Sequence, residues 1–217
     1  MKNMKRILVT LVAAVLLMAV TVAGTLAYLQ AETGEVTNTF TVGKVTFAEV
    51  GLDEAEVDVY GENPDGTRTT ENVYKIVPNH NYIKDPTVHV GADSEDAYLF
   101  VKVTNNLGDL EAAAKYDILE GENDLTAAAN QTGTIAAQMT ALGWTLVDGE
   151  TDVYYFKRIV TADEDITVFK AFAIQAQAEM PSDEAVQNLK IVIDAYLIQE
   201  DTFLDANDAW TKAEYEF

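Results

Sequence analysis

The amino-acid sequence predicts an all-β protein, an antiparallel β-sandwich with short helical insertions and a C-terminal helix. Three observations carry this. Apolar and polar residues alternate with period two in several separate runs, the pattern of half-buried strands. Gly, Pro, Asn and Asp cluster between those runs as turn signals. Strands and helices do not alternate regularly, as a parallel sheet would require.

The elements follow in order. Lys2, Lys5 and Arg6 precede an apolar run from residue 7 to about residue 29, with small residues at Ala23, Gly24, Thr25 and Ala27. This is the pattern of an export signal. Residues 1–27 are expected to be a cleaved signal peptide and residues 28–217 a single β-sandwich domain. The run is long enough to span a bilayer as a helix, so an uncleaved anchor is the alternative and the only expected membrane contact. In residues 36–47, Val36, Phe40, Val42, Val45 and Phe47 interleave with Thr37, Thr39, Thr41 and Lys44. This predicts a strand, with a bulge where the apolar phase changes at Gly43.

Residues 52–60 read as a weaker, acidic strand, GENPDGT (61–67) as a loop, and NVYKIVP (72–78) as a short strand. Asp85–Pro86 breaks any helix, and residues 87–90 resume an extended chain. AYLFVKVTN (97–105) is the clearest strand, with Tyr98, Phe100 and Lys102 on one face and Leu99, Val101 and Val103 on the other. Residues 106–143 read as an insertion in which 108–116 and 134–142, rich in Ala, form short helices or helical loops around a Gly- and Asn-rich stretch. Residues 144–160 predict a hairpin turning at Asp148–Gly149. Long strands are expected at 166–176 and 189–198, the second with Leu189, Ile191, Ile193, Ala195 and Leu197 on one face. Between them, residues 181–188 allow one helical turn capped by Ser182. Residues 205–215 predict a short amphipathic helix.

Composition narrows the function. Apolar residues make up 48% of 217, enough for a core. Acidic residues outnumber basic ones 36 to 14, a formal charge of −22, which argues against nucleic acid and anionic membrane surfaces as partners. Cysteine is absent, which removes disulfides, thiolate metal sites and Cys nucleophiles together.

Several stretches together carry a resemblance. GTLAYL followed by EVTNTFTVGKV, HNYIKDPTVHVGADSEDAYLFVKV (80–103) and AYLIQEDTFLDANDAW (195–210) resemble, in the same order, the SipW-processed secreted proteins. That family includes the TasA biofilm-matrix fibre protein and the camelysin/CalY relatives. The resemblance covers about a third of the chain, and residues 108–143 lie outside it. It implies a jelly-roll sandwich, export past a signal peptidase, and residence at the bacterial cell surface or in the extracellular matrix. In fibre-forming members the freed N-terminal segment adds as a strand to the next subunit, so the expected partners are copies of this chain or other matrix proteins. Residues 29–42 are then the candidate assembly strand, with Val36, Phe40 and Val42 filling pockets. The alternative is that residues 36–47 form the first strand of the chain's own sandwich.

Chemistry finds little support in the residues, and no enzyme activity is expected. The camelysin relatives raise a metal-dependent peptidase as an alternative, but its two-His helical signature, HExxH, is missing. The only histidines are His80 and His89; an irregular site would draw on Asp85, Asp93 or Glu95. GxSxG, GxGxxG and the P-loop are absent. Asp163-Glu164-Asp165 and residues 120–124 offer oxygen ligands for calcium without EF-hand spacing; no cofactor is expected. Asn130-Gln131-Thr132 is a formal glycosylation sequon of little meaning in a bacterial-looking protein. A monomeric surface-binding module is the other alternative.

Overall fold

Thirteen strands are formed among the residues described by the computed structural model, which are 44–116, 132–176, 182–186 and 188–213. In chain order they begin with β1 (Phe47–Ala55), β2 (Arg68–Thr69), β3 (Asn81–Ile83), β4 (Thr87–Val90) and β5 (Ala97–Asn105). A 3-10 turn, Gly108–Leu110, leads into β6 (Glu111–Ala112), β7 (Ala114–Lys115) and β8 (Thr132–Gly133), then helix α1 (Ile135–Leu142). There follow β9 (Trp144–Leu146), β10 (Val153–Phe156), β11 (Asp165–Thr167), β12 (Ala171–Ile174), helix α2 (Asp183–Val186), β13 (Ile191–Gln199) and helix α3 (Ala206–Lys212). The signal segment, the candidate assembly residues Val36, Phe40 and Val42, residues 120–124, and Asn130 of the sequon lie outside the described residues.

One layer has the order β13-β5-β10-β9, antiparallel throughout. The other is built from two ladders, β11-β4-β1-β2 and β3-β12-β6. They are halves of one bent sheet. Pro86 has no N–H to donate, so the ladder of β3 and β4 with β11 and β12 breaks at its level. Backbone bonds carry it across: Lys84 N to Lys170 O at 3.2 Å and Val168 N to Pro86 O at 2.8 Å. The expected long strand at 166–176 is thus two strands bent in step with their partner.

The main core lies between the layers. Alternation sends Leu99, Val101 and Val103 of β5 inward, where they join Val88, Val90, Trp144, Phe156, Phe172 and Leu197. The outer face of β5 is also buried: Phe100 is fully covered by α3 through Ala206 and Ala209, with Val147, Val153 and Ile198 beside it. The small alanines let the helix axis approach the sheet closely. Asp205 caps α3, its side chain accepting from Asp208 N at 2.9 Å. The strand at 97–105, the Asp148–Gly149 hairpin, the inward face of 189–198, the Ser182 turn and the C-terminal helix all form as expected.

Three further expectations are corrected. Residues 72–78 are not a ladder strand. Side chains and one backbone bond hold the segment instead: Tyr82 Oη donates to Lys75 O at 2.9 Å and accepts from Val77 N at 2.7 Å, Tyr74 Oη donates to Ile83 O at 3.1 Å, and Lys75 N donates to Val59 O at 2.6 Å. Residues 108–116 are not helical; after the 3-10 turn they add β6 to β12 and pair β7 with β8. Ala114, Ala171 and Ala173 form a small apolar cluster there, so the alanines serve close strand packing rather than a helix. The acidic strand at 52–60 ends at Ala55, because Asp58 Oδ1 accepts from Tyr60 N and Glu62 N and turns the chain. Gly43 is not described; the bulge that is described in β1 falls between Phe47, opposite Val90, and Leu52, opposite Val88. Gly51 allows it, since a Cβ there would lie 2.8 Å from the Phe47 Cβ.

Candidate functional site

A cleft of about 620 Å³ opens between residues 70–76 and the start of β13. Its apolar lining includes Leu52, Tyr74, Ile76, Leu107, Phe172 and Ile191. One wall is a strand edge. β13 stands at the end of its layer and, among the described residues, forms a ladder only with β5. It is nine residues long, against three for β9 at the other end of the layer. Val192 and Asp194 on this edge are exposed, and Val192 retains 38% of its surface.

The floor of the cleft is polar and largely buried. Glu54 of β1 is 4% exposed and Lys84, between β3 and β4, is 8% exposed. Lys84 Nζ donates to Glu54 Oε2 at 2.5 Å. Asn72 Nδ2 donates to the other oxygen, Glu54 Oε1, at 3.0 Å and to Ala55 O at 2.8 Å. Asn72 Oδ1 accepts from Val57 N at 3.2 Å. Tyr74 covers the Lys84 ammonium, 5.8 Å from ring centre to Nζ, and its own ring meets Phe172 edge-on at 5.1 Å. Burial, with Glu54 and Asp85 adding to it, holds the Tyr74 phenol far above its usual pKa. Sequence reasoning passed over Glu54, Asn72 and Lys84. One signal was available: Lys84 shares the phase of the fully buried Tyr82, two residues before it, so a charge falls on an inward face.

The residues that an irregular metal site would draw on do not converge among the described residues. His89 lies between two carboxylates, its Nδ1 2.6 Å from Asp165 Oδ1 and its Nε2 2.9 Å from Asp53 Oδ1. Burial opposes charging the ring, but these hydrogen bonds outweigh it and raise the His89 pKa. Burial likewise opposes ionising Asp53, yet His89 and Arg68 lower its pKa. Arg68 bridges Asp53 at 2.7 Å and Asp85 at 2.9 Å, so a guanidinium stands where a cation would have to bind. His80 sits elsewhere, its Nε2 2.8 Å from Tyr60 O. Asp93 and Glu95 are exposed on the turn before β5. Glu164 is tied to Arg158 at 2.6 Å and Asp165 to His89, which splits the Asp163–Asp165 run. Among the described residues no group of three or more His, Cys, Asp or Glu is arranged to hold a metal ion, and no helix is long and apolar enough to cross a membrane.

No family model, no curated protein and no solved structure matches this chain.

Proposed function

We infer that the protein is a secreted structural component of the bacterial cell surface or biofilm matrix that polymerises by N-terminal strand exchange. The observation that carries this reading is the nine-residue strand β13, which among the described residues pairs on one side only, with β5, and stands beside a cleft with an apolar wall. An extended peptide laid along that edge would bond to its main chain and send alternate side chains into the cleft. Val36, Phe40 and Val42 stand at even spacing and so share one face of an extended strand. In this reading residues 29–42 of one subunit are the donor and β13 of the next is the acceptor. The signal peptidase acts first, because a tethered N-terminus cannot reach a neighbour. The other ends of the layers offer less: β2 and β6 are two residues each. No catalytic role is assigned.

The test compares the chain begun at residue 28 with the chain begun at residue 44 by electron microscopy. Filaments from the longer form alone are expected. Filaments from both forms, or from neither, would overturn residues 29–42 as the donor. A second reading rests on the cleft's size, which falls in the range of small-ligand sites: a monomeric surface-binding module. Under it, the longer form stays a monomer at every concentration in light scattering.

A further inference from the structure

The polar floor of the cleft contains a reactive arrangement as well as an ion pair. One carboxylate, Glu54, holds an amine on one oxygen and a carboxamide on the other: Lys84 Nζ at 2.5 Å and Asn72 Nδ2 at 3.0 Å. The amine is inside the protein, under the Tyr74 ring. The carbonyl oxygen of the carboxamide already takes a backbone N–H, from Val57. A nucleophile, an acyl group, a proton carrier between them and a donor on the acyl oxygen are the parts of an acyl transfer.

We propose that Lys84 and Asn72 form an intramolecular isopeptide bond, with Glu54 as the proton carrier. Glu54 takes one proton from the Lys84 ammonium. The freed amine attacks the Asn72 Cγ, and the Val57 N–H bonds the oxygen as negative charge builds on it. The Cγ–Nδ2 bond breaks, a second Lys84 proton passes through Glu54 to the departing nitrogen, and ammonia leaves through the cleft. The third proton stays on the new amide nitrogen. Glu54 ends protonated and hydrogen-bonded to the product. No oxidant, metal or cofactor takes part.

Two physical arguments favour the reaction at this place. A buried ion pair carries a large desolvation cost, and the product replaces both charges with neutral groups. The three side chains are also held in place by separate elements. Glu54 is on β1, Lys84 is clamped between β3 and β4, and Asn72 is fixed by backbone bonds to Ala55 and Val57, so little freedom remains to be lost on reaction. The cross-link would tie the 72–78 segment, which has no ladder of its own, to the bent sheet. It would also give a chain without cysteine a covalent staple.

The test is the intact mass of the protein, produced with its own N-terminal segment and measured under denaturing conditions, with the N-terminus determined on the same sample. The expected mass is that of the sequence less one ammonia. Trypsin should then fail to cut after Lys84 and should leave residues 69–75 joined to residues 76–102. Lys84→Arg keeps a cation beside Glu54 but cannot form the bond, and is expected at full sequence mass. So is Glu54→Gln, which loses the proton carrier. Full sequence mass for the unaltered, folded protein would overturn the proposal. Loss of ammonia without the joined peptides would overturn it too, since succinimide formation at another Asn gives that result.

Discussion

The rings of Phe100 and Trp210 meet at 5.1 Å between centroids, across the outer face of the β13-β5-β10-β9 layer. Phe100 is fully buried there, and Trp210 Nε1 donates to Glu150 Oε1 at 3.1 Å, tying α3 to the turn between β9 and β10. Two ring faces and one hydrogen bond thus close a second core that the sandwich alone would leave open to water. Phe100→Ala removes the buried centre of this contact. It is expected to cost about 3–5 kcal/mol in chemical denaturation. Trp210→Ala should cost less, because the Trp210 ring is only half-buried, and should increase proteolysis after Lys212.

Gln138 is fully buried in α1. Its amide nitrogen donates to Gly133 O at 2.9 Å and Ala171 O at 2.8 Å, and its oxygen accepts from Lys170 N at 3.0 Å and Ala171 N at 3.1 Å. One side chain therefore joins α1 to the start of β12. Gln138→Leu preserves the volume and orphans those backbone groups. A loss of about 2–4 kcal/mol is expected, since each buried unpaired group costs roughly 1–3. A change below about 1 kcal/mol in urea denaturation would mean that the four contacts do not hold together in solution.

Tyr82 stacks on Phe172 at 4.6 Å with 7° between the ring planes, and its hydroxyl bonds Lys75 O and Val77 N. Tyr82→Phe keeps the stack and deletes both bonds. Stability should fall by about 1–2 kcal/mol. Hydrogen exchange should speed up selectively at Val77, while β12 keeps its protection.

His89 makes stability pH-dependent in a known direction. Both ring nitrogens face carboxylates, of Asp53 and Asp165, and only the imidazolium donates from both. Arg68 and Asp85 complete the charged set around Asp53. The raised His89 pKa gives stability that is full below the unfolded value of about 6.5 and is lost as pH rises through the folded value. The lowered Asp53 pKa gives stability that is present above about 3.9 and is lost as pH falls through its folded value. The difference in thermal midpoint between the unaltered protein and His89→Gln should thus be largest between about pH 4 and 6.5 and shrink above it. It should also shrink in high salt, because the groups are partly exposed. A difference that stays flat from acid to alkaline pH would refute a charged His89.

The sequence by itself determined the strands whose side chains alternate over a long run and the elements closed by local chemistry. β5 and β13 were legible from period two, the β9–β10 hairpin from Asp148–Gly149, and α3 from its amphipathic stretch, because each signal lies within a few neighbouring residues. Only the tertiary structure decided where short or ambiguous segments went. The alanines of 108–116 favour a helix when read alone, but pairing with β12 and β8 satisfies their backbone and overrides that preference. The 72–78 segment alternates like a strand, yet the Tyr82 hydroxyl takes the Lys75 carbonyl and the Val77 N–H in place of a ladder. The cleft was invisible for the same reason. Glu54, Asn72 and Lys84 are separated in sequence, and apart from the phase Lys84 shares with Tyr82, nothing local marks them. Folding β1 against the bent β3–β4 strand brings them to one carboxylate and removes the water that would otherwise keep them apart.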